Sequence, residues 1–198
     1  MSRLTVAVLN YGMGNLRSVA KALEAAGAKS IVTSDTSEVL RSDALCVPGQ
    51  GIFGRCMDNL IEARQDDLIR EWLAAGRPYL GICLGMQILF DSSEERGPIK
   101  GLSILAGDVD RLRGEVRVPH MGWSVVNGEH YYFDHSYAAF PANDSFVTGW
   151  CTHGQRFAAM VQSDALTAVQ FHPEKSGTAG IELLRGWLAT VPATTSVR

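Results

Sequence analysis

Cys83 is the residue of this sequence best placed to do covalent chemistry. It lies in Gly81-Ile82-Cys83-Leu84-Gly85, after an apolar run that begins at Pro78 and before residues that favour helix up to Phe90. That order predicts a strand, a sharp turn and a helix. Glycines flank a nucleophile where the backbone turns too tightly to admit side chains, and a helix that starts beside the sulfur favours the thiolate. A buried structural cysteine is the alternative, but the two glycines favour a nucleophile.

A cysteine nucleophile needs a partner that takes and returns a proton, and histidine does both near neutral pH. His172 is the best candidate among the five histidines because it directly follows the apolar run 168–171. Pro173 restricts it to an extended conformation, and Glu174 is placed to accept the second N–H of its imidazole ring. The sequence therefore predicts a catalytic triad of Cys83, His172 and Glu174.

The other four histidines are weaker candidates for the base. His120 and His135 are the rivals, but neither is followed by a carboxylate at a comparable spacing after a strand. Asp134 adjoins His135, yet adjacent residues of a strand point to opposite faces. His130 and His153 stand beside turn glycines and are expected at the surface. All four are therefore expected to lie outside the triad.

A glycine-rich segment offers a place for negative charge. Gly49-Gln50-Gly51 lies within residues 48–54, directly after a predicted strand at 43–47. In parallel sheets, ligand-binding and catalytic sites lie at the carboxyl ends of the strands. Glycines leave backbone N–H groups uncovered, as an oxyanion site requires. A simple turn is the alternative interpretation.

The apolar pattern also predicts the elements that position these groups. In the first half of the chain it indicates strands at 4–9, 30–33, 43–47 and up to Cys83, alternating with helices at 16–26, between the second and third strands, and at 57–75. Gly27 and Gly76 are expected to end the two longer helices. Residues 91–98 are expected to form a surface loop whose acidic side chains are solvated.

Between residues 102 and 171 the pattern changes to short alternating runs, at 108–112, 115–118, 124–126, 130–133, 145–148, 156–161 and 166–171. Turns are predicted at Asn127-Gly128 and His153-Gly154. A final helix is predicted at 177–190, and the residues from Pro192 onward are expected to be a frayed tail. We therefore expect an α/β fold, with a mainly parallel central sheet, helices on both faces and an added antiparallel or mixed β portion.

Composition and charge exclude several classes of protein. The 198 residues are 46% hydrophobic and 20% charged, which predicts a single globular domain over residues 1–198. A formal charge of −3 gives no electrostatic reason to bind nucleic acid or an anionic membrane. No apolar run reaches the ~20 residues of a membrane span, and no signal peptide precedes the first strand. We therefore expect a cytoplasmic protein with no nucleic-acid or membrane partner.

The remaining cysteines and the His172–Glu174 pair give no evidence of a metal site. Cys46, Cys56 and Cys151 show neither a Cys-x-x-Cys pair nor metal-ligand spacing. His172 and Glu174 have no third ligand at a suitable spacing. We therefore expect no metal and no cofactor.

Two motifs together resemble the class I, triad-type glutamine amidotransferases. They are Gly81-Ile-Cys-Leu-Gly-Met-Gln87 and Gln170-Phe-His-Pro-Glu174. Further motifs in the expected order are similar to one branch of this family, the glutaminase subunits of imidazole glycerol phosphate synthases. These are Tyr11-Gly-Met-Gly-Asn-Leu-Arg-Ser18, residues 48–54, Pro119-His-Met-Gly-Trp123, His135-Ser-Tyr137 and Phe171-His-Pro-Glu-Lys-Ser176.

The resemblance implies a flavodoxin-like fold and release of ammonia from L-glutamine through a γ-glutamyl thioester on Cys83. His172 is implied as base and acid and Glu174 as its orienting partner. It assigns the oxyanion site to the backbone of Leu84 and of Gly49-Gln50-Gly51. Glutamine binding is assigned to Gln87, Ser136 and Tyr137. Gln50 and Asp134 depart from the residues expected at those positions.

The resemblance also implies a partner, a (β/α)₈-barrel cyclase subunit that receives the ammonia. We expect the docking surface to include Asn15, Pro119, His120, Met121 and Trp123, because Trp and Met are common at the cores of interfaces. Burial of Trp123 in the core is the alternative at that position.

Three functions stay open at this point. The first is the partner-dependent glutaminase of this synthase or of another one. The second is a free-standing cysteine hydrolase that acts on γ-glutamyl amides with the same triad. The third is a binding or regulatory module without activity, against which the intact triad argues.

Overall fold

The computed structural model describes residues 3–192 and is organised around one large sheet. Its strands are β1 (Thr5–Leu9), β2 (Lys29–Thr33), β3 (Ala44–Gly49), β4 (Tyr79–Cys83), β5 (Ser92–Ser93), β6 (Ile99–Lys100), β7 (Gly107–Arg111), β10 (Tyr137–Pro141), β11 (Val147–His153), β12 (Gln155–Ser163) and β13 (Leu166–Val169). Strands β8 (His120–Val126) and β9 (Glu129–His135) form a separate hairpin. The helices are α1 (Leu16–Ala26), α2 (Thr36–Arg41), α3 (Phe53–Glu62), α4 (Gln65–Ala74), α5 (Leu84–Gln87) and α6 (Gly177–Thr190).

The large sheet is parallel on one side and mainly antiparallel on the other. Its order is β2-β1-β3-β4-β13-β12-β10-β7-β5-β6, and β11 pairs with β12. The pairings among β2, β1, β3, β4 and β13 are parallel, whereas β12 runs antiparallel to β10, β11 and β13. The α/β prediction with an added mixed portion is confirmed.

Helices cover both faces because alternate side chains of each strand point to opposite sides. Ala7 and Leu9 of β1 pack with α2, α3 and α4, whereas Val6 and Val8 pack with α1 and α6. All four are fully buried. This is the burial expected of a parallel strand covered on both faces.

The predicted first and final helices are confirmed, and Gly27 ends α1 in the left-handed conformation, with φ at 114°. The predicted single helix at 57–75 is wrong. It is two helices, α3 and α4, because the backbone of Arg64 turns into the left-handed region, with φ at 54°. Two acidic residues in the first turn of α4 favour a helix start there.

The β-rich half corrects three expectations. Residues 115–118 form no strand, and the strand β10 was not predicted. The loop at 91–98 contains the short strand β5. Asp91 and Glu94 are exposed, as expected, and they also make specific contacts: Asp91 accepts the N–H of Gly107, and Glu94 pairs with Arg113 at 2.9 Å. The turns at Asn127-Gly128 and His153-Gly154 are confirmed by the hairpins around them.

No helix within residues 3–192 is long and apolar enough to cross a membrane. The predicted tail from Pro192 onward lies, apart from Pro192, outside the described residues.

Candidate active site

Cys83 stands at the turn between β4 and α5, as the sequence predicted. Its backbone has φ 54° and ψ −109°, a combination that costs a non-glycine residue about 1–3 kcal/mol. The turn is closed by backbone approach, since a Cβ on Gly85 would lie 1.8 Å from the carbonyl oxygen of Val47. The helix after the turn is shorter than predicted, a single turn ending at Gln87. The macrodipole of a long helix therefore does not act on the sulfur.

Strand register brings the candidate groups to one edge of the sheet. Gly49, the last residue of β3, is paired with Cys83 of β4. On the other side of β4, Val169 of β13 is paired with Ile82. The glycine-rich segment and the His172 segment therefore leave the sheet on either side of the thiol.

His172 and Glu174 form a buried pair behind this edge. Nδ1 of His172 lies 2.8 Å from Oε1 of Glu174, and the two side chains are 3% and 2% exposed. The Glu174 carboxylate is therefore bound to one nitrogen of the ring, and the other nitrogen, Nε2, is not used by this contact. Within the described residues, Nε2 has no hydrogen-bond partner of normal geometry.

The electrostatics of His172 favour its protonated form. Burial lowers the pKa of the ring, but the interactions with Cys83 and Glu174 outweigh burial and raise it to about 10. An imidazolium beside the sulfur is the arrangement required to stabilise a thiolate and then to donate a proton.

A cleft of about 260 Å³ opens beside the sulfur. This volume is close to the lower end of the roughly 300–1,000 Å³ of small-molecule sites, which suits a ligand of amino-acid size. The predicted residues that line the cleft are Gln50, Gly51, Cys83, Leu84, Gln87, Ser136 and Tyr137. The predicted residues Gly49, His172 and Glu174 do not line it, since they lie in the sheet or behind the thiol.

The glycine-rich segment is held firmly at its start. The hydroxyl of Tyr11 donates to the carbonyl oxygen of Pro48 at 2.6 Å, and Asn59 donates to the carbonyl of Tyr11 at 2.9 Å. Gly51 has φ at 121°, where a side chain is strained. The Tyr-Gly-Met-Gly motif thus supports the segment that forms one wall of the cleft.

Sequence reasoning did not assign Glu95 or Gln170 to the site. Glu95 lines the cleft and accepts the N–H of Phe53 at 2.7 Å, a contact across 42 positions of sequence. Gln170 is fully buried, and its Nε2 lies 3.6 Å from the sulfur of Cys83. A signal for Gln170 was present, since residues two apart in an extended segment share a side and His172 was already assigned.

The rival histidines form a cluster of their own. Nδ1 of His120 lies 3.0 Å from Nε2 of His135, and the ring of His120 stacks on His153 at 4.1 Å. Burial lowers the pKa of His120 to about 4 and that of His135 to about 3. Both are therefore neutral near pH 7. His153 is half-buried rather than a surface residue, because its ring is engaged in this stack.

The proposed docking surface is exposed except at one position. Met121 and Trp123 are 62% and 55% exposed, which excludes core burial of the tryptophan. Asn15 and Pro119 are exposed as well, and Pro119 also lines the cleft. The prediction for His120 is corrected, since this side chain is buried within the histidine cluster and is not available to a partner.

In residues 3–192, no group of three or more His, Cys, Asp or Glu side chains is arranged to hold a metal ion. The four cysteines are free and buried.

Comparison with known proteins identifies the family. The model of the glutamine amidotransferase class I family matches residues 7–190. The HisH subunit of imidazole glycerol phosphate synthase from Streptomyces avermitilis is 44% identical over 94% of this chain and 96% of its own length. The HisH subunit from Nocardia farcinica is 45% identical over 95% of this chain and 99% of its own.

Solved structures agree on the fold. A crystal structure of a glutamine amidotransferase matches with a TM-score of 0.72 and 21% identity, over 93% of this chain and 98% of that one. The structure of PurLQS from Thermotoga maritima matches with a TM-score of 0.69 and 18% identity, over 96% of this chain and all of the matched chain. Because the family model and the near full-length relatives both match, this chain belongs to the class I glutamine amidotransferases and, among them, to the family of HisH subunits.

Proposed function

We propose that this chain is the glutaminase subunit of an imidazole glycerol phosphate synthase. It hydrolyses L-glutamine to glutamate and ammonia and delivers the ammonia to a cyclase subunit in histidine biosynthesis. The observation that carries the proposal is the arrangement around Cys83. The thiol lines a cleft of amino-acid size, and the buried His172–Glu174 pair lies behind it. The synthase is inferred from the near full-length relatives, which are named as HisH subunits of imidazole glycerol phosphate synthase.

In the first half of the reaction, the thiolate of Cys83 attacks the carboxamide carbon of glutamine. The carbonyl oxygen becomes an oxyanion, which the backbone N–H of Leu84 and the Gly49-Gln50-Gly51 segment stabilise. One such fixed donor typically contributes ~10²–10³ in rate. Protonated His172 then donates its Nε2 proton to the departing nitrogen, the C–N bond breaks, and ammonia leaves a γ-glutamyl thioester on the sulfur.

In the second half, water attacks the thioester. Neutral His172 takes a proton from the water at Nε2, and Glu174 stabilises the imidazolium that forms. The second tetrahedral intermediate collapses with the Cys83 thiolate as leaving group and releases glutamate. Gln87, Ser136 and Tyr137 hold the substrate in the cleft during both steps.

The ammonia needs a protected route because in bulk water near pH 7 it would be mostly protonated and not nucleophilic. We propose a (β/α)₈-barrel cyclase as the acceptor, bound as a heterodimer on the exposed surface of Asn15, Pro119, Met121 and Trp123. Pro119 belongs to both this surface and the cleft, so the partner would cover the exit from the active site. The cytoplasmic location and the assignment of residues 1–198 to one domain stay predictions.

The test is a glutaminase assay of the purified chain with and without the cyclase subunit and its nucleotide substrate. We expect weak activity of the chain alone and a large increase with the loaded partner. Equal rates in both conditions would refute ammonia delivery and favour a free-standing γ-glutamyl hydrolase.

A Cys83→Ala variant separates chemistry from assembly. We expect it to abolish glutamine-dependent synthesis by the complex but to leave synthesis from added ammonium salts intact. Loss of both activities in a complex that still assembles would contradict the role of Cys83 as nucleophile.

A further inference from the structure

A row of amides leads from a backbone carbonyl to the sulfur of Cys83. Nε2 of Gln87 lies 2.8 Å from the carbonyl oxygen of Tyr137 and 3.0 Å from Oε1 of Gln170. Nε2 of Gln170 lies 3.6 Å from Sγ of Cys83. Gln170 is fully buried and Gln87 is 4% exposed, so these contacts replace water for both amides.

The direction of each amide in this row follows from the carbonyl at its end. A glutamine amide can accept through its oxygen or donate through its nitrogen, and its neighbours decide which end faces which group. The carbonyl of Tyr137 can only accept, so it requires the nitrogen of Gln87. That same nitrogen faces Gln170 and requires its oxygen. The only group that Gln170 has left for Cys83 is therefore its N–H.

We propose that Gln170 donates a hydrogen bond to the Cys83 thiolate and that Gln87 and the Tyr137 carbonyl hold it in this direction. The proposal rests on the proposed function, in which Cys83 is the nucleophile. Residues 170 and 172 lie on the same side of the extended segment that leaves β13. Gln170 and His172 therefore approach the sulfur together, and Phe171 points away.

An uncharged donor serves the thiolate at two points of the reaction. It stabilises the anion before attack, and it stabilises the same anion when sulfur leaves the second tetrahedral intermediate. The titratable groups that interact with Cys83 include His172, Cys56 of α3 and Tyr11. Of these, His172 alone can carry a positive charge. An amide does not titrate, so the hydrogen bond from Gln170 is available at every pH at which His172 gains or loses its proton.

The test is the pH dependence of alkylation of Cys83 by iodoacetamide, followed on the peptide that contains it by mass spectrometry. Gln170→Met keeps the length of the side chain and removes the donor. We expect the midpoint of alkylation to rise by about one to two pH units, since hydrogen bonds to charged groups are of that strength. An unchanged midpoint in a folded variant would overturn the proposal.

Two further variants control for packing. Phe171→Leu disturbs the fully buried neighbour, whose ring stacks on Tyr131 at 4.0 Å, and leaves the donor in place, so its midpoint should equal that of the wild type. Gln87→Met removes the group that fixes the direction of the Gln170 amide. We expect it to raise the midpoint by less than Gln170→Met does. If Gln170→Met does not fold, an unchanged midpoint in Gln87→Met overturns the proposal instead.

Alkylation requires neither glutamine nor the cyclase, so its result is independent of the proposed reaction. A wild type without glutaminase activity but with the expected shift in Gln170→Met would reject the reaction and retain the hydrogen bond. An active wild type with no shift in the variant would reject the hydrogen bond alone.

Discussion

Replacing Glu174 by glutamine tests how much the buried carboxylate contributes to the reaction. The carboxylate accepts from Nδ1 of His172 at 2.8 Å, and its second oxygen has no partner among the described residues. In Glu174→Gln, an amide oxygen placed at Nδ1 leaves a buried NH₂ without an acceptor. An amide nitrogen placed there forces the ring proton onto Nε2, where it blocks the base. Either orientation weakens the imidazolium.

The expected size follows from the bond that is lost. A hydrogen bond to a charged group contributes about 1.5–3 kcal/mol, and each 1.36 kcal/mol is a factor of ten in rate. We therefore expect kcat/KM of the glutaminase to fall roughly 10- to 150-fold. KM should change little, because Glu174 does not line the cleft. The carboxylate also raises the pKa of His172, so the alkaline limb of the pH–rate profile should move to lower pH in the variant.

The assay is glutamate release by the complex with its partner, measured across the pH range for wild type and variant. Glu182→Gln is the matched control, since it makes the same change at an exposed carboxylate paired with Arg185 and should leave both kcat/KM and the profile unchanged. Retention of kcat/KM within about twofold by Glu174→Gln, with the alkaline limb in place, would refute the orienting role.

Two further predictions concern the docking surface and the histidine cluster. Trp123→Ala should weaken binding of the cyclase subunit by at least about tenfold in calorimetry, as expected for an exposed aromatic anchor. Val32→Ala, at an exposed position of the edge strand β2, is the control and should leave the affinity unchanged. Equal affinities of the two variants would exclude this surface. Because burial lowers the pKa of His120 and His135, these two residues bind fewer protons in the folded chain than in the unfolded chain below about pH 6.5. The free energy of unfolding should therefore fall from there toward about pH 3. His120→Gln should make the fall of the unfolding free energy with pH shallower, as measured by urea unfolding. His130→Gln, at an exposed position, is the control and should leave the fall unchanged. The same pH dependence in the wild type and both variants would contradict a lowered pKa of His120.

Local patterns predicted most of what lies on the parallel side of the sheet. The turn at Cys83 and the final helix were predictable because glycine spacing and helical periodicity are properties of neighbouring residues. The break at Arg64 was not predicted, since a non-glycine residue in the left-handed region carries little local signal. Strand β10 was missed because Tyr137-Ala-Ala-Phe-Pro141 has two alanines and a proline, which are poor strand residues.

The parts of the site that were missed depend on contacts between distant segments. Glu95 reaches the cleft through the N–H of Phe53, and nothing in the acidic loop indicates that partner. His120 follows a proline in a motif that suggested a docking surface, but its burial is decided by His135 and His153 on other strands. Residue type shows that Glu95 and His120 are polar. It does not show which polar side chains are buried and paired with distant segments.

His172 was proposed as the partner of Cys83 because it directly follows the apolar run 168–171 and precedes Pro173-Glu174. In the structure, the register of β13 decides which side chains of this segment face the sulfur. Val169 is paired with Ile82, so Gln170 and His172 face the sulfur, and Phe171 packs between Tyr131 at 4.0 Å and Phe133 at 5.5 Å. A slip of one residue would exchange these faces. It would place a phenyl ring at the thiol and two polar side chains among aromatic rings, at about 1–3 kcal/mol for each unsatisfied group. The polar residues that we propose for the chemistry thus also favour the strand register that brings them together.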